Sequence, residues 1–268
     1  MFYGAKNGAI PVERTEMDYI RFGRGAKTLL MLPGVGDGFR TVKCAAAALA
    51  LAYRKLAPDF TVYAVSRRNL LPAHFTTRQM AADLVRALDR LGIDSACVLG
   101  VSQGGMIAQH LALDAPDRVE KLVLCVTSSR PNRTLLAVVH NWMDMARAGD
   151  YKGVLLDTAR KSYSEAYLKK VLPLYSLLGA VGKPKSFERF LTMAEACVTH
   201  NAYEALPQIK RPALIIGGME DQIVTAAASG EIAGQIPGSS IRMYPGLGHG
   251  VYEEAGDFLE CVRAFLLR

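Results

Sequence analysis

The sequence lacks an apolar run long enough to span a membrane, and its first 24 residues lack the continuous apolar stretch of a secretory signal, being interrupted by Lys6, Glu13, Arg14, Glu16 and Asp18. Cysteine is sparse. The five, Cys44, Cys97, Cys125, Cys197 and Cys261, are odd in number, widely spaced and free of any C-x-x-C pair. This argues against a disulfide framework and a zinc site, and suits a reducing, cytoplasmic setting. No set of His, Asp and Glu has metal-ligand spacing, so neither a metal nor another cofactor is expected. Lys and Arg outnumber acids 32 to 25, a net charge of +7, but no basic block is interleaved with aromatics and no recognition motif for nucleic acid is present. The surplus concerns solubility and the steering of a small-molecule partner, not nucleic acid or membrane insertion.

What is present is the balance of a globular protein, with 50% hydrophobic and 21% charged residues in 268. Strand-length apolar runs recur after the opening segment at residues 19–22, 28–32, 61–65, 97–101, 121–126, 213–216 and 241–244. Several are nearly all apolar, as strands covered on both faces must be. Helical patterns lie between them at 41–56, 76–91, 103–115, 226–235 and 253–267. In the second, Met80, Leu84, Leu88 and Leu91 return on one face, and Gly92 follows as a stop. The alternation predicts an α/β fold with a largely parallel sheet covered by helices. It breaks at residues 129–200, where Trp142, Tyr151, Tyr163, Tyr167 and Tyr175 sit among helical patterns without a strand. This region reads as a helical cap inserted into a core formed by residues 1–128 and 201–268.

The strongest local signal is Gly100-Val101-Ser102-Gln103-Gly104-Gly105, which follows an apolar strand and opens a helix. A serine on so sharp a turn takes strained dihedrals, and side chains two residues before and after it would collide; Gly100 and Gly104 remove that conflict. The N–H of Gln103, at the helix start, is a ready donor to a developing oxyanion. A hydroxyl nucleophile needs a base and the base an orienting acid. The run 213–216 leads to Glu220 and Asp221, and the run 241–244 leads to a glycine-rich loop carrying His249.

Serine, acid, histidine is the chain order of the α/β-hydrolase triad. From about residue 19 to the C-terminus the chain resembles cap-bearing α/β-hydrolases of the esterase, enol-lactonase and haloperoxidase-like group. The resemblance implies a mostly parallel eight-stranded sheet with flanking helices and an inserted cap. It also implies Ser102 as nucleophile, His249 as base and Asp221 as orienting acid. Glu220 is the competing acid, but the family places a glycine three residues before the acid, matching Gly218 and Asp221. By analogy the second oxyanion donor is the backbone N–H of Val35, in the turn after an early strand; Pro33 stands where His-Gly usually begins that turn. His74, His110, His140 and His200 read as structural.

The expected activity is a carboxylic ester hydrolase type: cleavage of a small acyl substrate, an ester, lactone or thioester, through an acyl-enzyme. Alternatives on the same triad are C–C bond hydrolysis, cofactor-free haloperoxidase or perhydrolase chemistry, and a ligand-binding sensor that retains the triad. A serine at the elbow argues against haloalkane dehalogenases and epoxide hydrolases, which place Asp there. The cap holds more basic than acidic residues, which either steers an anionic substrate or forms a solvated outer face. Trp142, Met143, Met145 and the cap tyrosines either line an acyl pocket or pack the cap helices.

Overall fold

A computed structural model describes residues 2–268. Among them one sheet holds eight strands: β1 (Lys6–Val12), β2 (Thr15–Phe22), β3 (Lys27–Leu32), β4 (Phe60–Arg68), β5 (Ala96–Val101), β6 (Val119–Cys125), β7 (Ala213–Gly218) and β8 (Ser240–Tyr244). Their spatial order is β1-β2-β4-β3-β5-β6-β7-β8, and β2 alone runs against the others. The fold is the mostly parallel α/β-hydrolase sheet that the sequence implies.

Two layers of helices cover the sheet because its buried strands alternate their side chains between two apolar faces. Along β5, Ala96 and Val98 join the core beneath α2 (Thr77–Leu91) and α3 (Gln103–Asp114), whereas Cys97, Leu99 and Val101 join the core beneath α1 (Ala46–Ala52) and α10 (Phe258–Leu267). Each fully buried Leu or Phe, such as Leu99 or Phe258, contributes about 1.5–3 kcal/mol by leaving water. The ends of α2 follow its sequence: Thr76 and Gln79 form a reciprocal capping box, and Gly92 ends the helix at φ 65°.

Three local expectations are corrected. Residues 6–12 form an edge strand that the apolar pattern does not announce. The helix expected over 41–56 is confined to Ala46–Ala52, because the N–H groups of Val42 and Cys44 turn to Ser66 Oγ and Asn7 Oδ1, each at 2.9 Å. The last helix is divided into α9 (Val251–Glu254) and α10, with Ala255, Gly256 and Asp257 between them.

Between β6 and β7 the chain runs through α4 (Arg133–Arg147), α5 (Tyr151–Ser162), α6 (Glu165–Val181) and α7 (Glu188–Val198). Leu135, Val139 and Trp142 of α4 and Phe190 of α7 pack with Met106 of α3 and with Ile223 and Val224 beyond β7. Trp142 and Met143 are buried there, and the indole N–H of Trp142 donates to Asp157 at 2.7 Å. These two residues pack helices. Met145 packs on the edge of the same cluster.

The strand order places the site. From β3 the chain goes to β4 on one side and later to β5 on the other, so the turns after β3 and β5 diverge and leave a crevice between their C-terminal ends. Because β5, β6, β7 and β8 are parallel, the turns after β5, β7 and β8 open on that same edge.

Candidate active site

Ser102 follows β5 directly and precedes α3, with φ 54° and ψ −120°. A non-glycine residue held at positive φ stores strain, which surrounding contacts must enforce. They are backbone contacts. A Cβ on Gly100 would lie 2.5 Å from the Gly104 carbonyl oxygen, and one on Gly104 would overlap the Leu32 carbonyl. The Ser102 N–H donates to Cys125 O at the end of β6 (2.9 Å), and its carbonyl accepts from Thr127 Oγ1 (2.7 Å). The two glycines therefore let the elbow close against β3 and against its own helix.

The acid and the histidine are brought together by two further glycines. A Cβ on Gly218, at the end of β7, would overlap the carbonyls of Leu247 and Gly248, so the backbones of the two loops touch. Glu220 N–H donates to Leu247 O at 2.9 Å. Within this frame His249 Nδ1 lies 2.8 Å from Asp221 Oδ2, and both residues are buried. Asp221 Oδ1 accepts from the N–H groups of Ile223 (2.8 Å) and Val224 (3.0 Å). Burial by itself would raise the Asp221 carboxyl, but His249 and these two N–H donors hold it below its ordinary value. The ionised carboxylate accepts, so Nδ1 of His249 donates to it, which orients Nε2 away from Asp221. The neighbouring Glu220 is exposed and does not bond to His249.

The structure joins His249 to Asp221 directly and sets Ser102 on the same sheet edge; among the described residues no hydrogen bond joins the Ser102 hydroxyl to the imidazole. Val35 and Gln103 each begin a helical turn, and neither N–H donates a backbone hydrogen bond among the described residues. Gly34 lies against Ser102: a Cβ built on it would be 3.3 Å from Ser102 Cβ and 3.7 Å from its Oγ. The turn bearing Val35 thus borders the serine.

That turn is held by a buried charge network with no counterpart in the sequence motifs. Asp37 accepts from Ser66 Oγ (2.5 Å), Arg67 N–H (3.1 Å) and Arg189 Nη2 (2.6 Å). Arg67 donates to Pro33 O, and Arg189 donates to the carbonyls of Asp37, Arg67 and Arg68. Burial lowers the Arg67 guanidinium to about 10, with Asp37 opposing the shift and Arg189 reinforcing it. The available signal was Arg67-Arg68 ending a buried strand, since charges there need acids. The Gln103 side chain makes a parallel tie, donating to Met193 O and, at 3.1 Å, to Cys197 Sγ on α7.

A cavity of about 680 Å³ opens beside this turn, lined by Gly34, Val101, Tyr53, Tyr167, Tyr252 and Glu253 among others. Of the tyrosines between β6 and β7, Tyr167 therefore reaches a cavity, whereas Tyr151 packs edge-on against Phe39. The remaining histidines are placed structurally. His200 is buried with its Nδ1 at 2.9 Å from Thr77 Oγ1 and its ring edge-on to His110, and exposed His74 pairs with Glu195. Among the described residues no group of His, Cys, Asp and Glu is arranged to hold a metal ion, and no helix is long and apolar enough to cross a membrane.

Comparison with known proteins bears on the fold and the family. The magnesium-chelatase 30 kDa subunit of Rhodobacter capsulatus is 28% identical over 252 residues, covering 86% of this chain and 83% of that protein. The enol-lactonase of Burkholderia xenovorans LB400 superposes with a TM-score of 0.82 at 23% identity, covering 97% of this chain and 100% of that one. An esterase of Exiguobacterium antarcticum gives 0.81 at 17% identity, covering 98% and 100%. A sequence profile of the alpha/beta hydrolase fold matches residues 27–256, and the chain belongs to that family.

Proposed function

We propose that the protein is a serine hydrolase that cleaves a small carboxylic ester, lactone or thioester through an acyl-enzyme. The observation that carries this reading is the buried Asp221–His249 pair, 2.8 Å apart, on the sheet edge where Ser102 is held at φ 54°. His249 Nε2 accepts the Ser102 proton as Oγ attacks the substrate carbonyl, and Asp221 balances the imidazolium. The N–H groups of Val35 and Gln103 receive the oxyanion, Gln103 with the added field of the α3 N-terminus. Collapse expels the alcohol or thiol with the proton from His249, and water, deprotonated by His249, then releases the acid. The helices of residues 129–200 act as a cap over the core formed by 1–128 and 201–268, and they shape the substrate site. The esterase and enol-lactonase among the structural neighbours support this chemistry.

The test is labelling by a fluorophosphonate together with turnover of short-chain aryl esters. Wild type labels at Ser102 and hydrolyses them, and Ser102→Ala abolishes both, lowering kcat by about 10⁶-fold. Absence of labelling and turnover alongside tight binding of a small ligand would replace the hydrolase by a ligand-binding protein on the same scaffold.

A further inference from the structure

The 680 Å³ cavity carries an electrostatic feature that ester chemistry does not use. Glu253, on the short helix after His249, lines it together with Tyr53, Tyr167 and Tyr252. The Glu253 carboxylate accepts from Tyr163 Oη, and Tyr163 is itself 2.8 Å from Tyr175 Oη. The rings of Tyr163 and Tyr167 lie 5.0 Å apart. A carboxyl and five phenols are thus gathered in one region of the fold. Burial pushes the phenols of Tyr53, Tyr163 and Tyr252 up, so they are neutral hydroxyls at physiological pH.

The group has no cation of its own. Among the described residues Glu253 belongs to no ion pair, and no Lys or Arg lines the cavity. The neighbouring Glu254 is engaged elsewhere, with the hydroxyl and N–H of Ser164. Desolvation pushes the Glu253 carboxyl up, and the Tyr163 bond draws it back part of the way. Glu253 is exposed and lines a cavity whose walls combine Tyr53, Tyr167 and Tyr252 with aliphatic side chains such as Leu49, Leu99 and Leu259, and an acid placed there without a counter-charge is complementary to a ligand that brings one. Tyrosine rings present a negative face to a cation, and a weakly hydrated quaternary or tertiary ammonium loses little on leaving water for such a wall.

We infer that this cavity receives a substituted ammonium group of the substrate, with Glu253 as its counter-ion and Tyr53, Tyr167 and Tyr252 as its aromatic walls. The cavity is also lined by Gly34 and Val101, which flank Ser102, so a cationic head held there is tethered to an acyl carbon at the elbow. The substrate class is therefore a small ester carrying an alkylammonium group. This selectivity is opposite in sign to the anionic steering that the cap's basic surplus allows. The inference rests on the hydrolase reading for its substrate, but not for its binding site.

The test compares choline esters with the isosteric 3,3-dimethylbutyl esters, which place an uncharged carbon where the nitrogen stands. Wild type is expected to favour the choline ester by about tenfold in kcat/KM, and Glu253→Gln to bring that ratio close to one. Glutamine keeps an acceptor for Tyr163, so the variant retains that local bond. In parallel, tetramethylammonium binding to Ser102→Ala protein is measured by calorimetry, with heat expected that disappears on adding Glu253→Gln. Equal turnover of the two wild-type substrates, or undiminished selectivity in Glu253→Gln, overturns the ammonium site while leaving the hydrolase intact. Tetramethylammonium binding dependent on Glu253 without labelling or turnover leaves the site standing and overturns the hydrolase reading.

Discussion

The two loops that flank Ser102 are fastened in opposite ways. On one side the turn from Gly34 to Gly38 is fixed by buried charge, with Asp37 paired to Arg189 at 2.6 Å and 3.9 Å from the Arg67 guanidinium. On the other the His249 loop is fixed by backbone packing: Gly218 against Gly248, and Gly250 N–H on Ser162 O at 2.8 Å. A charge anchor gains strength from low dielectric but fails abruptly when one member is removed, because the remaining charges stay buried. A glycine-mediated backbone anchor has no such failure, and it leaves the buried charge near His249 free for chemistry. The largest effect expected from this contrast is catalytic and on the histidine side. Asp221→Asn should lower kcat by about 10⁴-fold while the thermal midpoint moves little, since the amide still fills the site. A loss in stability as large as the loss in activity would show that Asp221 is a structural anchor like Asp37.

On the other side the order reverses. Asp37→Asn leaves Arg67 and Arg189 without their counter-charge, and an unfolding free energy lower by about 3 kcal/mol or more is expected. Activity should decline through displacement of the Val35 turn, visible in the fraction of enzyme that remains folded and active. An Asn variant with an unchanged denaturation midpoint would remove the charge anchor from the account.

The same contrast separates what the sequence discloses from what it hides. The turn at Ser102 is legible because strain there demands Gly100 and Gly104 nearby in the chain, and Asp221 and His249 follow apolar strands that announce themselves. Arg189 lies 152 residues from Asp37, so no local pattern connects them; only the arginines closing β4 hint that acids must be near. Strand β1 was hidden for a different reason. It is an edge strand in which Ile10 and Val12 alone are buried, and it carries Gly8 and Pro11, which the edge tolerates. The division of the last helix was masked by an apolar pattern that continues across Gly256. Glu253 could not be singled out, because apart from the adjacent Tyr252 its phenolic neighbours come from α5–α6 and from α1's end, brought together only by the fold.

Acid should distinguish the interior groups. His200 is buried neutral, its imidazole lowered by burial and by His110 to about 3 against 6.5 when unfolded. Between those values the unfolded chain holds the extra proton, so stability falls as pH drops from about 6.5 towards 3 and is restored on raising it. Denaturation at pH 5 should show a loss of about 2 kcal/mol relative to pH 7 from this group. Asp221, lowered in the fold, gives up its contribution only below the ordinary carboxylate value of 3.8. The first phase of acid weakening therefore belongs to His200 together with His110, which burial also lowers, and His200→Asn should reduce its slope; an equal slope in that variant would assign the phase elsewhere.

The smallest effect comes from a matched change on the histidine side. Glu254 accepts from the Ser164 N–H at 3.1 Å and from its hydroxyl, at the N-terminus of α6, and so ties α9 to the helices between β6 and β7. Glu254→Gln preserves an acceptor and removes only a charge favoured by the helix dipole, worth about 0.5 kcal/mol, or about 1 °C in the thermal midpoint. The same acid-to-amide exchange thus costs several-fold less here than at Asp37, because the His249 loop keeps its backbone bond to Ser162 whatever the charge at 254. Were the two amide variants equally destabilised, the histidine loop would depend on charge as well, and the asymmetry between the two sides of Ser102 would vanish.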